Sequence, residues 1–126
     1  MLTEDATTSY TDGKYSFRGV EAIIGFLKKS LGADTVVGMH QGHQPEIDIT
    51  SETTANGIWT SEAGLIITDR NVSTREVNFY HDEYVKIGGQ WKIKHTGYKR
   101  LFEEAWDRGE TKSLRLMANM FAPRKE

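Results

Sequence analysis

The sequence predicts an α+β domain: a curved antiparallel sheet with helices packed on one side. Two observations carry this. One segment near the N-terminus has the apolar spacing of an amphipathic helix, and from Thr35 onward the period changes to two. Short turn signals separate the alternating segments, which makes consecutive strands antiparallel neighbours. The length of 126 residues suits one domain with one core, so a single unit over residues 1–126 is expected.

The helix is predicted over about Val20 to Leu31. Val20, Ile23, Ile24, Leu27 and Leu31 fall on one face. Lys28 and Lys29 lie near its end, where cations complement the helix dipole, and Gly32 is placed to terminate it. Asp12-Gly13 marks a turn upstream. Ile47 and Ile49 alternate with Glu46, Asp48 and Thr50, and Pro45 marks a bulge, an edge or a strand start. Ala55, Gly57, Trp59, Ser61, Ala63, Leu65 and Ile67 share one parity, and Asp69-Arg70-Asn71 turns the chain. Val77, Phe79, His81, Val85 and Ile87 share one parity against Asn78, Tyr80, Asp82, Tyr84 and Lys86. Gly88-Gly89 is a hairpin turn, followed by Trp91, Ile93 and His95 in alternation. The tail from Thr111 to Met120 has a weak helical pattern.

Composition narrows the function. Sixteen basic and eighteen acidic residues leave a formal charge of −2, which gives no attraction for polyphosphate, so no nucleic acid partner is expected. Cysteine is absent, which removes disulfides and thiolate chemistry. No apolar run approaches the roughly 20 residues needed to span a bilayer, and the acidic start is unlike a signal peptide. A soluble, cytoplasmic protein without a membrane partner is expected.

Two of the four histidines occur close together, in Met39-His40-Gln41-Gly42-His43-Gln44-Pro45. On a regular strand their rings point to opposite faces, and strand parity alone does not say which ring faces the core. His81 shares a face with Val77, Phe79, Val85 and Ile87, and His95 shares one with Trp91 and Ile93. Both are therefore expected to look into the core or a cavity, where imidazole exchanges protons near neutral pH. Trp59, Phe79 and Trp91 would line a pocket for an apolar or aromatic small molecule, with Ser61 on the face of Trp59. Tyr80 and Tyr84 lie opposite His81 and are assigned to sheet packing or an interface. Three imidazoles, His40, His81 and His95, would hold a metal if they converged; the favoured reading has neither metal nor cofactor.

Several segments in order resemble the SnoaL-like group of the nuclear transport factor 2-like superfamily, in its bile-acid 7α-dehydratase and scytalone dehydratase branch. They are Phe17-Arg18-Gly19, His40-Gln41-Gly42-His43-Gln44-Pro45, Ala55-Asn56-Gly57-Ile58-Trp59, Tyr80-His81-Asp82-Glu83-Tyr84 and Gly89-Gln90-Trp91-Lys92-Ile93, with Lys99-Arg100-Leu101 behind them. The resemblance spans about Leu2 to Arg100. It implies a cone-shaped, strongly curved sheet around a pocket closed by helices, and a homo-oligomer, dimer or trimer. It implies that His40 is the general base and that Arg100 steadies a carboxylate or oxyanion. Trp59, Ser61, Phe79, His81, His95 and Tyr98 are the expected substrate contacts.

Two departures from the family pattern stand out. Relatives carry an orienting aspartate on a helix ahead of the point where this sequence begins, at Met1-Leu2-Thr3-Glu4-Asp5. Many also carry an acid after the Gly-x-Trp strand, where this chain has Ala63, with Glu62 of opposite parity. An imidazole without an orienting carboxylate loses tautomer control. Two functional classes follow: a cofactor-independent lyase or isomerase acting on a hydrophobic cyclic molecule, and a non-catalytic ligand-binding or dimerisation module of the same fold.

Overall fold

A computed structural model describes residues 1–122. In chain order the elements are β1 (Leu2–Tyr10), β2 (Tyr15–Arg18), α1 (Val20–Leu31), β3 (Val36–Ile49), β4 (Thr54–Ile67), β5 (Val72–Ile87) and β6 (Gln90–Asp107), ending in a 3₁₀ turn at Arg108–Glu110. The strands form one six-stranded sheet in the order β2-β1-β6-β5-β4-β3. Neighbours are antiparallel except β1 and β6, which run parallel. The α+β class holds, with a mixed sheet and one α-helix among the described residues.

The helix forms where its apolar spacing predicts, with Glu21 in the first turn and Lys28 and Lys29 in the last. Ile23 is its buried anchor, 1 % exposed, which stabilises the domain by about 2 kcal/mol. Phe26 stacks on Tyr10, Tyr15 and Phe17, with centroids 6.0, 5.6 and 4.6 Å apart. Gly32 ends the helix with φ −87°, in the right-handed region. Glycine is needed there for space, because a Cβ would lie 2.5 Å from the Lys28 carbonyl oxygen.

Strands β1 and β2 were not evident in the sequence, because β1 (LTEDATTSY) is rich in threonine and acid. Its buried hydrophobic members are Ala6 and Tyr10, with buried Thr8 between them on the same face. The turn between β1 and β2 uses positive φ at Thr11, Asp12 and Gly13, as Asp12-Gly13 predicts. Pro45 falls at a register shift between His43 and Glu46 on the edge strand β3, so it marks both a bulge and an edge. Gly88 and Gly89 have φ 58° and 78°, the left-handed geometry of a tight hairpin. The tail is not helical: beyond Arg108–Glu110 the described residues contain only turns and irregular chain.

Helix α1 packs chiefly against β1 and β2. The inner faces of β3 to β6 beyond it form the wall of an open cleft. The opposite face carries exposed apolar side chains, among them Ile58, Phe79 and Phe102. No helix among the described residues is long and apolar enough to cross a membrane.

Candidate functional site

Hairpin register decides which side chains share the inner face. The turn after β4 pairs Ile67 with Val72, so odd positions of β4 face even positions of β5 across the whole hairpin. Trp59 therefore lies beside Tyr80, Ser61 beside Asn78, Gly57 beside Asp82 and Ala55 beside Tyr84. Pairing of β3 with β4 adds His40 beside Ala63 and Gly42 beside Ser61. Strand β6 supplies Trp91, Ile93, Thr96, Tyr98 and Arg100 to the same face. His40, Trp59, Ser61, Tyr80, Asp82, Tyr84, Trp91 and Ile93 line one cleft of about 520 Å³. That volume suits a small organic ligand.

A directed hydrogen-bond chain crosses the cleft wall. Trp59 Nε1 donates to Tyr84 Oη over 2.7 Å, and Tyr84 Oη donates to Asp82 Oδ2 over 2.8 Å. An indole N–H only donates, so the tyrosine oxygen accepts there and its single proton goes to the carboxylate. Burial, with the Asp82 bond and charge added and the Trp59 bond opposing, pushes the Tyr84 phenol up to about 12. Burial raises Tyr80 further still, reinforced by Tyr10, Tyr98 and the acids Glu76 and Asp82. Both phenols are therefore protonated donors at neutral pH. Gly57 makes room for this wall, since a Cβ there would lie 2.8 Å from the Tyr84 ring and 2.9 Å from Ile47 Cδ1.

A second polar group lies further along the same face. Arg100 Nη2 is 2.7 Å from Glu76 Oε2, and Nη1 pairs with Glu103. Arg100 also donates from Nε to Asn78 Oδ1 over 3.3 Å and from Nη2 to Tyr98 Oη over 3.2 Å. The Glu76 carboxylate, then Tyr98 and Glu103, raise the guanidinium pKa despite the opposing effect of burial. Tyr98 stacks on Tyr10 at 5.4 Å and meets Tyr80 in a tilted arrangement at 5.1 Å, and so joins the helix-side core to the cleft. Arg100 is thus engaged by two carboxylates, rather than presented as a free cation.

His40 stands on the exposed edge strand at the cleft rim. Among the described residues its ring makes no side-chain hydrogen bond to a carboxylate. His43 faces the other way, with Nε2 3.9 Å from Glu62 Oε2, which separates the two histidines of the sequence motif. Ala63, the position where a family acid was sought, lies between His40 and Glu76 in one cross-strand row. The acid of that row sits on the neighbouring strand, at Glu76.

Three expected contacts point elsewhere. Phe79, His81 and His95 lie on the opposite face of the sheet. Phe79 pairs with Thr60 and Lys99 and is 38 % exposed. His81 and His95 border a separate hollow of about 270 Å³ with Ser9 and Lys99. His95 Nδ1 is 2.7 Å from the Thr7 hydroxyl. The shared parity of His95, Ile93 and Trp91 misleads because Lys94 is an extra residue in a bulge, so Ile93 pairs with Tyr84 but His95 pairs with Glu83. His40, His81 and His95 therefore do not converge, and no metal-holding group of three acids or histidines occurs among the described residues. Tyr80 and Tyr84, assigned to packing or an interface, instead line the cleft. Asp82 and Glu76 were missed as site acids.

A family model for the SnoaL-like domain matches residues 1–97. The chain belongs to the SnoaL-like domain family. A scytalone dehydratase-like protein of Novosphingobium aromaticivorans DSM 12444 is 26 % identical, with a TM-score of 0.72 over 99 % of this chain and 77 % of that one. The hexachlorocyclohexane dehydrochlorinase LinA-type3 of Novosphingobium barchaimii LL02 is 18 % identical, with a TM-score of 0.73 over 83 % of this chain and 71 % of that one. An NTF2-like protein with a cystatin-like fold, also from Novosphingobium aromaticivorans, is 15 % identical with a TM-score of 0.64, covering 79 % of this chain and 64 % of that one. The last two likenesses concern the fold. They place this SnoaL-like sheet among open, curved sheets of the cystatin-like fold.

Proposed function

We propose that this SnoaL-like chain is a cofactor-independent lyase that eliminates water or halide from a hydrophobic cyclic substrate, with His40 as the base. The observation that carries the reading is the position of the His40 imidazole on an aromatic-walled cleft. Family membership and relatives described as a dehydrochlorinase and as scytalone dehydratase-like support it. His40 takes a proton from a carbon next to an electron-withdrawing group, and the C–H electron pair becomes the new C=C bond. The leaving group on the adjacent carbon departs with its bonding pair. The imidazolium returns the proton to a departing hydroxyl, releasing water, or gives it to solvent when halide leaves, and either route restores neutral His40. The neutral phenol of Tyr80 supplies a donor on the cleft wall, the Tyr84 proton being committed to Asp82, and Arg100 holds Tyr98 and Asn78 in place. The test is alkene formation from a panel of cyclic β-hydroxy ketones. His40→Ala is expected to lower turnover by about 10²- to 10⁴-fold with ligand affinity retained. Unchanged turnover in an active preparation sinks the assignment.

A second reading, ligand binding without turnover, is favoured by one observation: His40 has no carboxylate partner among the described residues. It predicts measurable affinity, no product from any member of the panel, and no change in affinity on replacing His40.

A further inference from the structure

The cleft holds a carboxylate that the elimination does not use. Asp82 lies on the inner face between Gly57 and Thr96 in its cross-strand row. Its Oδ2 ends the chain that begins at Trp59 Nε1 and passes through the Tyr84 hydroxyl. Its Oδ1 is buried and has no hydrogen-bond partner. The direction of the chain is fixed by the indole, so Tyr84 has no second proton to offer. A buried carboxylate oxygen left unpaired costs more than a made bond returns. The residues around it supply aromatic surface instead: Trp59, Tyr80, Tyr84 and Trp91.

We infer that Asp82 orients the ligand, its free oxygen accepting an O–H or N–H carried by an otherwise apolar ring system. The inference rests on the proposed use of this cleft as the substrate site, but not on His40 acting as the base. The carboxylate reaches the ligand by turning about its terminal torsion, which is soft for aspartate. Tyr84 limits that turn by holding Oδ2, so one oxygen stays anchored while the turn brings the other toward the cleft. The aromatic walls take the ring, and the carboxylate selects for a hydrogen-bond donor at one edge of it. The same charge disfavours a carboxylate at that edge, which makes the preferred ligand neutral or cationic there. Hydroxyl and N–H donors satisfy the site equally, so the inference names the donor class rather than one functional group.

The experiment compares 4-ethylphenol, 4-ethylanisole and 4-ethylbenzoate, matched in ring and chain, by NMR titration of the full chain. The phenol is expected to bind about tenfold tighter than the anisole, the usual worth of a hydrogen bond to a charged acceptor, and the benzoate weakest. Asp82→Ala is expected to equalise phenol and anisole. Tyr84→Phe is expected to keep the preference, because both Asp82 oxygens remain acceptors. His40→Ala is expected to lose turnover yet keep the preference, which separates failure of the base assignment from failure of this one. The wild-type comparison needs no variant, so a poorly folding Asp82→Ala does not block the test. Equal affinity of wild-type protein for phenol and anisole, absence of phenol binding, or a preference that survives Asp82→Ala in folded protein overturns the inference.

Discussion

Arg100 and Glu76 form a close ion pair on the inner face of the sheet, Nη2 to Oε2 2.7 Å, with side chains only 21 % and 17 % exposed. This pairing changes what an arginine beside an SnoaL-like cleft does here. Its charge is already met by Glu76 and Glu103, and its remaining donors hold Asn78 and Tyr98. Asn78 is 1 % exposed, so that arrangement is deeply set in the sheet. Glu76→Gln is expected to destabilise the domain by about 1–3 kcal/mol, between the values for an exposed and a fully buried pair. It is also expected to tighten binding of an anionic ligand such as 4-ethylbenzoate, since it releases positive charge on the sheet face that carries the cleft. Urea denaturation and the NMR titration check the two halves. A variant of unchanged stability and unchanged affinity for the anion contradicts the locked arginine.

The raised phenols predict an alkaline limit to stability. Tyr10, Tyr80 and Tyr84 are all shifted upward from the usual tyrosine value of 10.0, in each case chiefly by burial. Folding therefore favours the protonated phenols. Their contribution is complete below about pH 10 and is lost as pH rises through the folded values, about 12 for Tyr84. Thermal midpoints are expected to fall above about pH 10. Tyrosinate absorbance should show these three groups ionising late, together with unfolding. Full ionisation of all five tyrosines in folded protein near the ordinary value contradicts this.

The indole of Trp59 supplies the only proton that the Tyr84 oxygen receives in the described chain of bonds. Trp59→Phe keeps a ring on the cleft wall but leaves that oxygen without its donor. A loss of about 1–2 kcal/mol in stability is expected from the unmet acceptor and the lost volume. The Tyr84 phenol should also titrate higher, because the bond from Trp59 is what lowers it. Denaturant titration measures the first effect and tyrosinate absorbance the second.

Much of the fold is legible in the sequence, because helix period and strand alternation are strong local signals. Val20–Leu31 and the four long strands form where those periods lie. The site is legible only through register. A hairpin that joins Ile67 to Val72, and another that joins Ile87 to Gln90, both place even positions of β5 beside Trp59 and Trp91. Those turn lengths put Tyr80, Asp82 and Tyr84 on the inner face and Phe79 and His81 on the outer one. Apolar parity pointed the wrong way, because in a sheet lining an open cleft the inner face carries phenols and a carboxylate while the outer face keeps exposed Phe79 and Phe102. The bulge at Lys94, which turns His95 outward, leaves no local mark in Lys92-Ile93-Lys94-His95. Strand β1 stayed hidden because its inward positions include Ala6 and Thr8, whose burial depends on partners elsewhere in the chain.

Gly57 and Gly64 lie on the same strand and give a matched pair of tests. A Cβ at Gly57 would press on Tyr84 and Ile47 at 2.8 and 2.9 Å, whereas one at Gly64 would meet nothing within 4 Å. Both positions are extended, so neither substitution carries a penalty for left-handed backbone. Gly57→Ala must displace the Tyr84 ring and disturb its bonds to Trp59 and Asp82. Overpacking of this kind costs about 1–3 kcal/mol, and affinity for 4-ethylphenol should fall with it because the displaced Tyr84 ring reshapes the cleft it lines. Gly64→Ala is expected to change stability by no more than about 0.5 kcal/mol and to leave affinity intact. Equal effects from the two substitutions would mean that Tyr84 is not held where the cleft requires it. Loss of stability without loss of affinity in Gly57→Ala would mean that the Tyr84 ring braces the sheet without shaping the ligand site.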